Sequence, residues 1–199
     1  MDKATVRKYA YFITGTFLMG IGIGMCDHAD LGIDPMSVLV TGMHRHIPVS
    51  FGTVNLMLSA LQLLFTFLFC RKRITTATFI AVFTTSIGID AFNALPLKKA
   101  ETPSSILWLI AGILAYCFAI ATDIYPDCGN TSYDGVIFST MKIFDCSYHV
   151  ARWIDDLFYI LSGLLFGGSL GPGTLAVALC SGFLIERFLG LYHRKRKEI

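Results

Sequence analysis

Apolar residues run along this chain in long unbroken blocks separated by short polar stretches. Six blocks, at about 9–25, 51–69, 74–95, 106–122, 152–166 and 173–192, come close to the roughly 20 residues a helix needs to cross a hydrocarbon core of about 30 Å. Two more, 36–43 and 133–144, are too short to cross and read as half-helices, re-entrant or interfacial. Irregular backbone at membrane depth persists only where protein or water satisfies its polar groups. The pattern predicts an all-α polytopic membrane protein of about six transmembrane helices. Composition agrees: 54% of the 199 residues are hydrophobic and 15% charged, against about 25% charged in a soluble domain. The mean hydropathy is +0.63. A secreted disulfide scaffold, a nucleic-acid-binding domain and a disordered tail are excluded, and the net charge of +2 carries no information about partners.

Met1 to Lys8 is basic and the block after it apolar, as in a signal peptide, but no small-residue cleavage site follows. The segment reads as an uncleaved helix. Lys3, Arg7 and Lys8, then Arg71, Lys72 and Arg73, then residues 194–197, fall on one face if there are six crossings, and the excess of basic residues makes that face cytoplasmic. Both termini are then cytoplasmic, with Arg45, Lys98 and Lys99 outside. Eight crossings, with the short blocks spanning, would place Arg71 to Arg73 outside instead; block length favours six.

The two halves resemble each other at a spacing of 96–98 residues. Gly15 aligns with Gly112, Asp30-Leu31-Gly32 with Asp127-Cys128-Gly129, Val38 with Val136, Met43 with Met141, Thr78 with Thr174, Asp90 with Glu186 and Phe92 with Phe188. Residues 1–97 and 98–199 therefore read as two membrane repeats. Three crossings per half invert the second copy, and an inverted repeat with a broken segment in each half is the sequence pointer to a transporter with its site at the repeat interface.

Ala29-Asp30-Leu31-Gly32-Ile33-Asp34-Pro35-Met36-Ser37 resembles the A-D-L-G-x-x-P/S segment that follows a lipophilic helix in the YczE/YyaS/YitT group of bacterial membrane proteins. Ser50-Phe51-Gly52-Thr53 is similar to that group's S-x-G-T step, and Gly171-Pro172-Gly173-Thr174 to its G-x-G-T step near the end. The likeness covers most of the chain. It implies an integral protein of the bacterial cytoplasmic membrane and bears on fold more than on function.

Charge inside an apolar span costs about 2.5–3.5 kcal/mol per residue and is rarely kept without a partner or a role. Arg152 has Asp155 at i+3 and Asp156 at i+4, one of which can pair with it; Arg152 and Asp155 read as a gate or structural lock, with Asp156 turned to a solute. Asp90 and Glu186, equivalent in the two copies, can share a proton or cation across the repeat axis, or simply end their spans at the headgroups. Asp34 before Pro35 fits an N-cap, and Asp134 falls in the first turn of the second half-helix, capped by Thr131 or Ser132. These carboxylates answer the helix dipoles and tilt the expectation toward a neutral, zwitterionic or cationic solute, unless both are ordinary surface caps. Asp30 with Gly32 and Asp127 with Gly129 read as structural turns. Gly20 and Gly24 share a face that allows close helix packing. A Cys26–Cys128 disulfide is conceivable, whereas Cys26 with His28, or His44 with His46, lacks the further ligands of a metal site.

No P-loop or H-E-x-x-H appears, and neither an enzyme nor a bound cofactor is expected. The expected function is a small secondary transporter or permease for a small polar solute, with proton coupling through carboxylates, contacts to membrane lipid, a homodimeric assembly and no nucleic acid. The alternatives are an accessory or sensory membrane subunit acting on a partner protein, and a membrane enzyme acting on lipid.

Overall fold

Ser and Thr hydroxyls open three of the helices by accepting from N–H groups that the helix itself leaves free. The computed structural model describes residues 2–32, 34–97 and 104–197. Among them run α1 (Lys3–Ala29), α2 (Pro35–His44), α3 (Phe51–Cys70) with a 3-10 turn Arg71–Arg73, α4 (Thr76–Asn93), α5 (Ser104–Ile124), α6 (Ser132–Phe144), α7 (Tyr148–Leu165) and α8 (Pro172–Lys197). Ser50 Oγ accepts from the Thr53 N–H at 3.0 Å to open α3. Thr75 with Thr78, and Thr131 with Asp134, form reciprocal capping boxes at α4 and α6. Asp34, extended at φ −60 and ψ 159, precedes Pro35 at α2. At the other ends of α1 and α5 the left-handed position belongs to the aspartates, Asp30 at φ 52 and Asp127 at φ 47, each closing a turn onto the residue three before it. Gly32, at φ 94, shares that freedom. Gly129 is needed for space, since a Cβ there would lie 2.4 Å from that of Ala77.

α2 and α6, at 10 and 13 residues, reach about 15 and 20 Å and are the expected half-helices. Thr5–Ala29, Phe51–Arg73 and Ser104–Ile124 are long and apolar enough to cross a membrane; α8 makes a fourth if its arms Pro172–Ser181 and Phe183–Tyr192, bent by 45°, count as one. α4 and α7 fall outside this group. Threonines, Asp90 and Asn93 dilute the first, while Arg152, Asp155 and Asp156 charge the second.

Side-chain contacts give the directions. Tyr9 meets Thr76 and Thr16 meets Thr84, so α1 and α4 run parallel. Gly15 packs on Ala119 and Asp123 while Gly112 packs on Gly22 and Cys26, so α1 and α5 are antiparallel. Phe118 meets Phe188 edge to face and Thr122 bonds Tyr192, making α5 and α8 parallel. Gly135 of α6 sits on Thr66 of α3, and Gly163 of α7 on Val38 of α2. These contacts recur with a shift of 97: Gly15 to Gly112, Ala119 to Gly22, Asp123 to Cys26, Gly135 to Val38 and Gly163 to Thr66. Gln62 and Tyr159, themselves 97 apart, bond each other, Gln62 Nε2 donating to the Tyr159 hydroxyl at 2.8 Å.

All six cysteines carry free thiols. Cys26 packs beside Gly112, whereas Cys128 packs with Phe12 and Ala77 near the opposite end of α1. The two thiols thus lie near opposite ends of α1, which is why the conceivable Cys26–Cys128 bridge does not form.

Candidate functional site

Two half-helix N-termini meet where α3, α5 and α7 come together. Gln62 of α3 joins them: Ser132, the first residue of α6, donates to its Oε1 at 2.8 Å, and its Nε2 approaches the Met36 sulfur of α2 at 3.5 Å. At α2 the Ser37 hydroxyl donates to Asp34 Oδ1 at 2.5 Å. At α6 the two residue types exchange places, with Thr131 at the cap and Asp134 three residues on.

α7 supplies the charges. Arg152 Nε lies 3.8 Å from Asp156 Oδ2, one helical turn away, and its guanidinium stands 5.8 Å from the Tyr133 ring centroid. The Tyr133 hydroxyl donates to the other oxygen of Asp156, and the Tyr133 and Tyr159 rings lie 5.7 Å apart. Tyr148 links Arg152 to Asp134. Tyr116 of α5 lies beside Asp34 in the same lining. Burial pushes the Asp34 carboxyl up from its ordinary range, the Ser37 bonds pull it part-way back, and the Asp156 charge adds a smaller upward push.

Of the residues picked from sequence, Asp34, Asp134, Asp156 and Arg152 thus come together. Asp155 turns away to α6, where Thr140 donates to Oδ1 at 2.8 Å, and its buried Oδ2 has no hydrogen-bond partner among the described residues. The lock therefore runs through Asp156, and Asp155 is a contact between α6 and α7. Asp90 and Glu186 are not brought together. Asp90 accepts from Ser50 Oγ at 2.7 Å and from the Gly52 N–H at 2.9 Å, tying the end of α4 to the start of α3, while Glu186 is exposed on α8. Asp90→Ala should cost about 1 kcal/mol, as loss of a helix-cap acceptor does; thermal unfolding of the purified protein checks this, and an unchanged melting temperature refutes it.

Gln62, Tyr116, Tyr133 and Tyr159 escape a reading of the sequence because an aromatic or an amide in an apolar block looks like core packing. One signal is available: Gln62 and Tyr159 stand at the repeat spacing. Among the described residues, no three His, Cys, Asp or Glu side chains are grouped to hold a metal.

A protein from Bacillus subtilis (strain 168), "Uncharacterized protein YyaS", is 26% identical over 193 residues, covering 94% of each chain. An "Uncharacterized protein" from Haemophilus influenzae is 28% identical over 192 residues, covering 96% of this chain and 87% of its own. The "Uncharacterized membrane protein YczE" of Bacillus subtilis is 21% identical over 191 residues, covering 94% of this chain and 87% of its own. No solved structure matches. A membrane location follows from the apolar helices together with the likeness to YczE. Residues 6–190 match the model of the family of unknown function DUF6198, and the chain belongs to that family.

Proposed function

We propose that the protein is a small secondary transporter for a small polar solute, built from two inverted three-span repeats, 1–97 and 98–199, in the bacterial cytoplasmic membrane with both termini cytoplasmic. The observation that carries this reading is the meeting of the α2 and α6 N-termini on one charged and aromatic cluster where the halves join. Half-helix ends at a repeat interface are where transporters of this design bind their cargo. Contacts recurring at a shift of 97 support the repeat, and the pairing of Gln62 with Tyr159, themselves 97 apart, supports an axis that runs through the cluster.

Unequal ends support alternating access. A small surface crevice, lined by Cys26, Asp27, Thr41 and Ser169, lies beside the C-terminal end of α1. Shifted by 97, Thr41 becomes Phe138 and Ser169 becomes Lys72, the neighbour of Arg73. At that opposite end the Arg73 guanidinium lies 4.0 Å from the Phe138 ring centroid, and Thr66 fills the space over Gly135. This difference between the two ends supports a cycle in which they open in turn.

Proteoliposomes containing the full chain and an internal pH dye test the reading, with tetramethylammonium, glycine and sorbitol applied in turn. One class should drive a proton flux absent from empty liposomes, and Asp156→Asn should reduce it by about tenfold, the size expected when one charge contact is lost from a binding site. If none of the three moves protons, transport fails as the function and the accessory-subunit reading takes its place.

A further inference from the structure

Asp155 is the carboxyl group that its surroundings leave half answered. It is 6% exposed, and the Thr140 hydroxyl of α6 donates to its Oδ1 at 2.8 Å. Its Oδ2 is buried and has no hydrogen-bond partner among the described residues. The neighbouring acids are answered: Asp34 by Ser37, Asp134 by the N–H and hydroxyl of Thr131, and Asp156 by Arg152 and Tyr133. The titratable groups that face Asp155 are Asp156 and Tyr159, both of α7. α6 brings the neutral Thr140, and Gln62 of α3 spends an amide N–H on the Tyr159 hydroxyl. Thr66 of α3 and Ser139 of α6 turn their hydroxyls to carbonyls of their own helices. α2 meets α7 through the uncharged Val38 and Leu39 at Gly163, and its Asp34 faces Asp156. Arg152, three residues before Asp155, is turned to Asp156.

An ionised carboxyl in this place would keep one oxygen bare of donors and have no cation beside it. Such a charge is costly to bury, and a group that can take up a proton does so instead. A carboxylate kept for structure gathers donors on both oxygens, as Asp90 does from Ser50 and Gly52. Nor does packing call for an acid here. Shifted by 97, Asp155 becomes Leu58 and Thr140 becomes Met43, both packed in the hydrophobic core. The first repeat fills the equivalent positions with apolar side chains, and the second puts an acid and a hydroxyl there. One acid and one hydroxyl are too few oxygens for a hard metal ion, which takes about six, but a single carboxyl suffices for a proton. Ionisable side chains inside apolar spans mark ion and proton pathways. We propose that Asp155 is the proton-carrying group of the transporter. In this conformation it holds one proton on its carboxyl group while Thr140 holds the other oxygen, and it releases that proton to water when the contact between α6 and α7 opens.

The proton's purpose rests on the transporter reading, but the bound proton is visible without transport. Infrared spectra of the full chain, in vesicles of phosphatidylethanolamine and phosphatidylglycerol at neutral pH, read protonated carboxyl groups by their C=O stretch, which moves on exchange into heavy water. One such band should be missing from Asp155→Asn. Thr140→Val should keep that band and move it to higher frequency, because a carbonyl freed of its hydrogen bond vibrates faster. Asp90→Asn should leave the band in place, since that carboxylate has donors on both oxygens. If Asp155→Asn does not fold, the shift in Thr140→Val decides. In proteoliposomes, Asp155→Asn should abolish the proton flux driven by whichever of tetramethylammonium, glycine and sorbitol drives it in the wild type. No band lost in Asp155→Asn and none moved in Thr140→Val is the signature of an ionised carboxylate and overturns the proton site. Wild-type proton flux in Asp155→Asn overturns its part in coupling. The band without solute-driven flux would overturn transport and leave the proton site standing; flux without the band would do the reverse.

Discussion

Gly20→Ala is expected to unfold the protein or bring it close to unfolding, while Gly190→Ala makes it slightly more stable. A Cβ on Gly20 would lie 2.1 Å from the Thr85 carbonyl oxygen, 2.8 Å from the Ile89 nitrogen and 3.0 Å from the Gly88 Cα. All three are backbone atoms of α4 and cannot rotate aside. Relief requires the backbones of α1 and α4 to move apart, which disturbs the Thr16–Thr84 bond at 2.6 Å and the Tyr9–Thr76 bond at 2.7 Å. Overpacking typically costs about 1–3 kcal/mol, and rigid neighbours place this substitution at the upper end or beyond. A methyl group on Gly190 would meet nothing within 4 Å, so alanine there gains the roughly 0.5–1 kcal/mol of helix preference that glycine lacks. Thermal unfolding of the two variants side by side gives opposite signs, and a wild-type melting temperature for Gly20→Ala would mean that α1 and α4 do not pack as described.

The glycine case shows what local pattern conveys and what it does not. Gly20 and Gly24 can be read from spacing alone as a close-packing face, because two small residues one helical turn apart leave a groove whatever fills it. That α4 fills it depends on the order of distant segments, which hydropathy does not encode. The same division runs through the site. Asp34, Asp134, Arg152 and Asp156 stand out because charge in an apolar block is expensive and therefore conspicuous. Tyr116 and Tyr133 do not stand out, because their rings satisfy the apolar pattern and only the hydroxyls matter to the cluster. Asp90 and Glu186 illustrate a different limit: equivalence under a repeat is a statement about register, and antiparallel copies carry equivalent residues away from each other unless they lie at the axis. Gln62 and Tyr159, 97 residues apart, do meet.

That pair carries the other large effect. Gln62 is 4% exposed and Tyr159 is 4% exposed, so neither can turn to water for a substitute partner. Gln62→Leu removes an acceptor from the Ser132 hydroxyl and a donor from the Tyr159 hydroxyl. Leaving a buried polar group unmatched costs about 1–3 kcal/mol each, and two such groups place the loss at about 2–6 kcal/mol. Tyr159→Phe removes one of the two orphans in advance, so the double variant Gln62→Leu/Tyr159→Phe should lose less than the sum of the single losses. Unfolding free energies of the four proteins test this, and strict additivity would mean that the two side chains act independently. The consequence for the cluster is the more telling part. Gln62 touches the first turn of both half-helices through Met36 and Ser132, so the spacing between Asp34 on one and Tyr133 on the other depends on it. Gln62→Leu should therefore reduce solute-driven proton flux in proteoliposomes even per folded molecule, with every charged residue of the site unchanged.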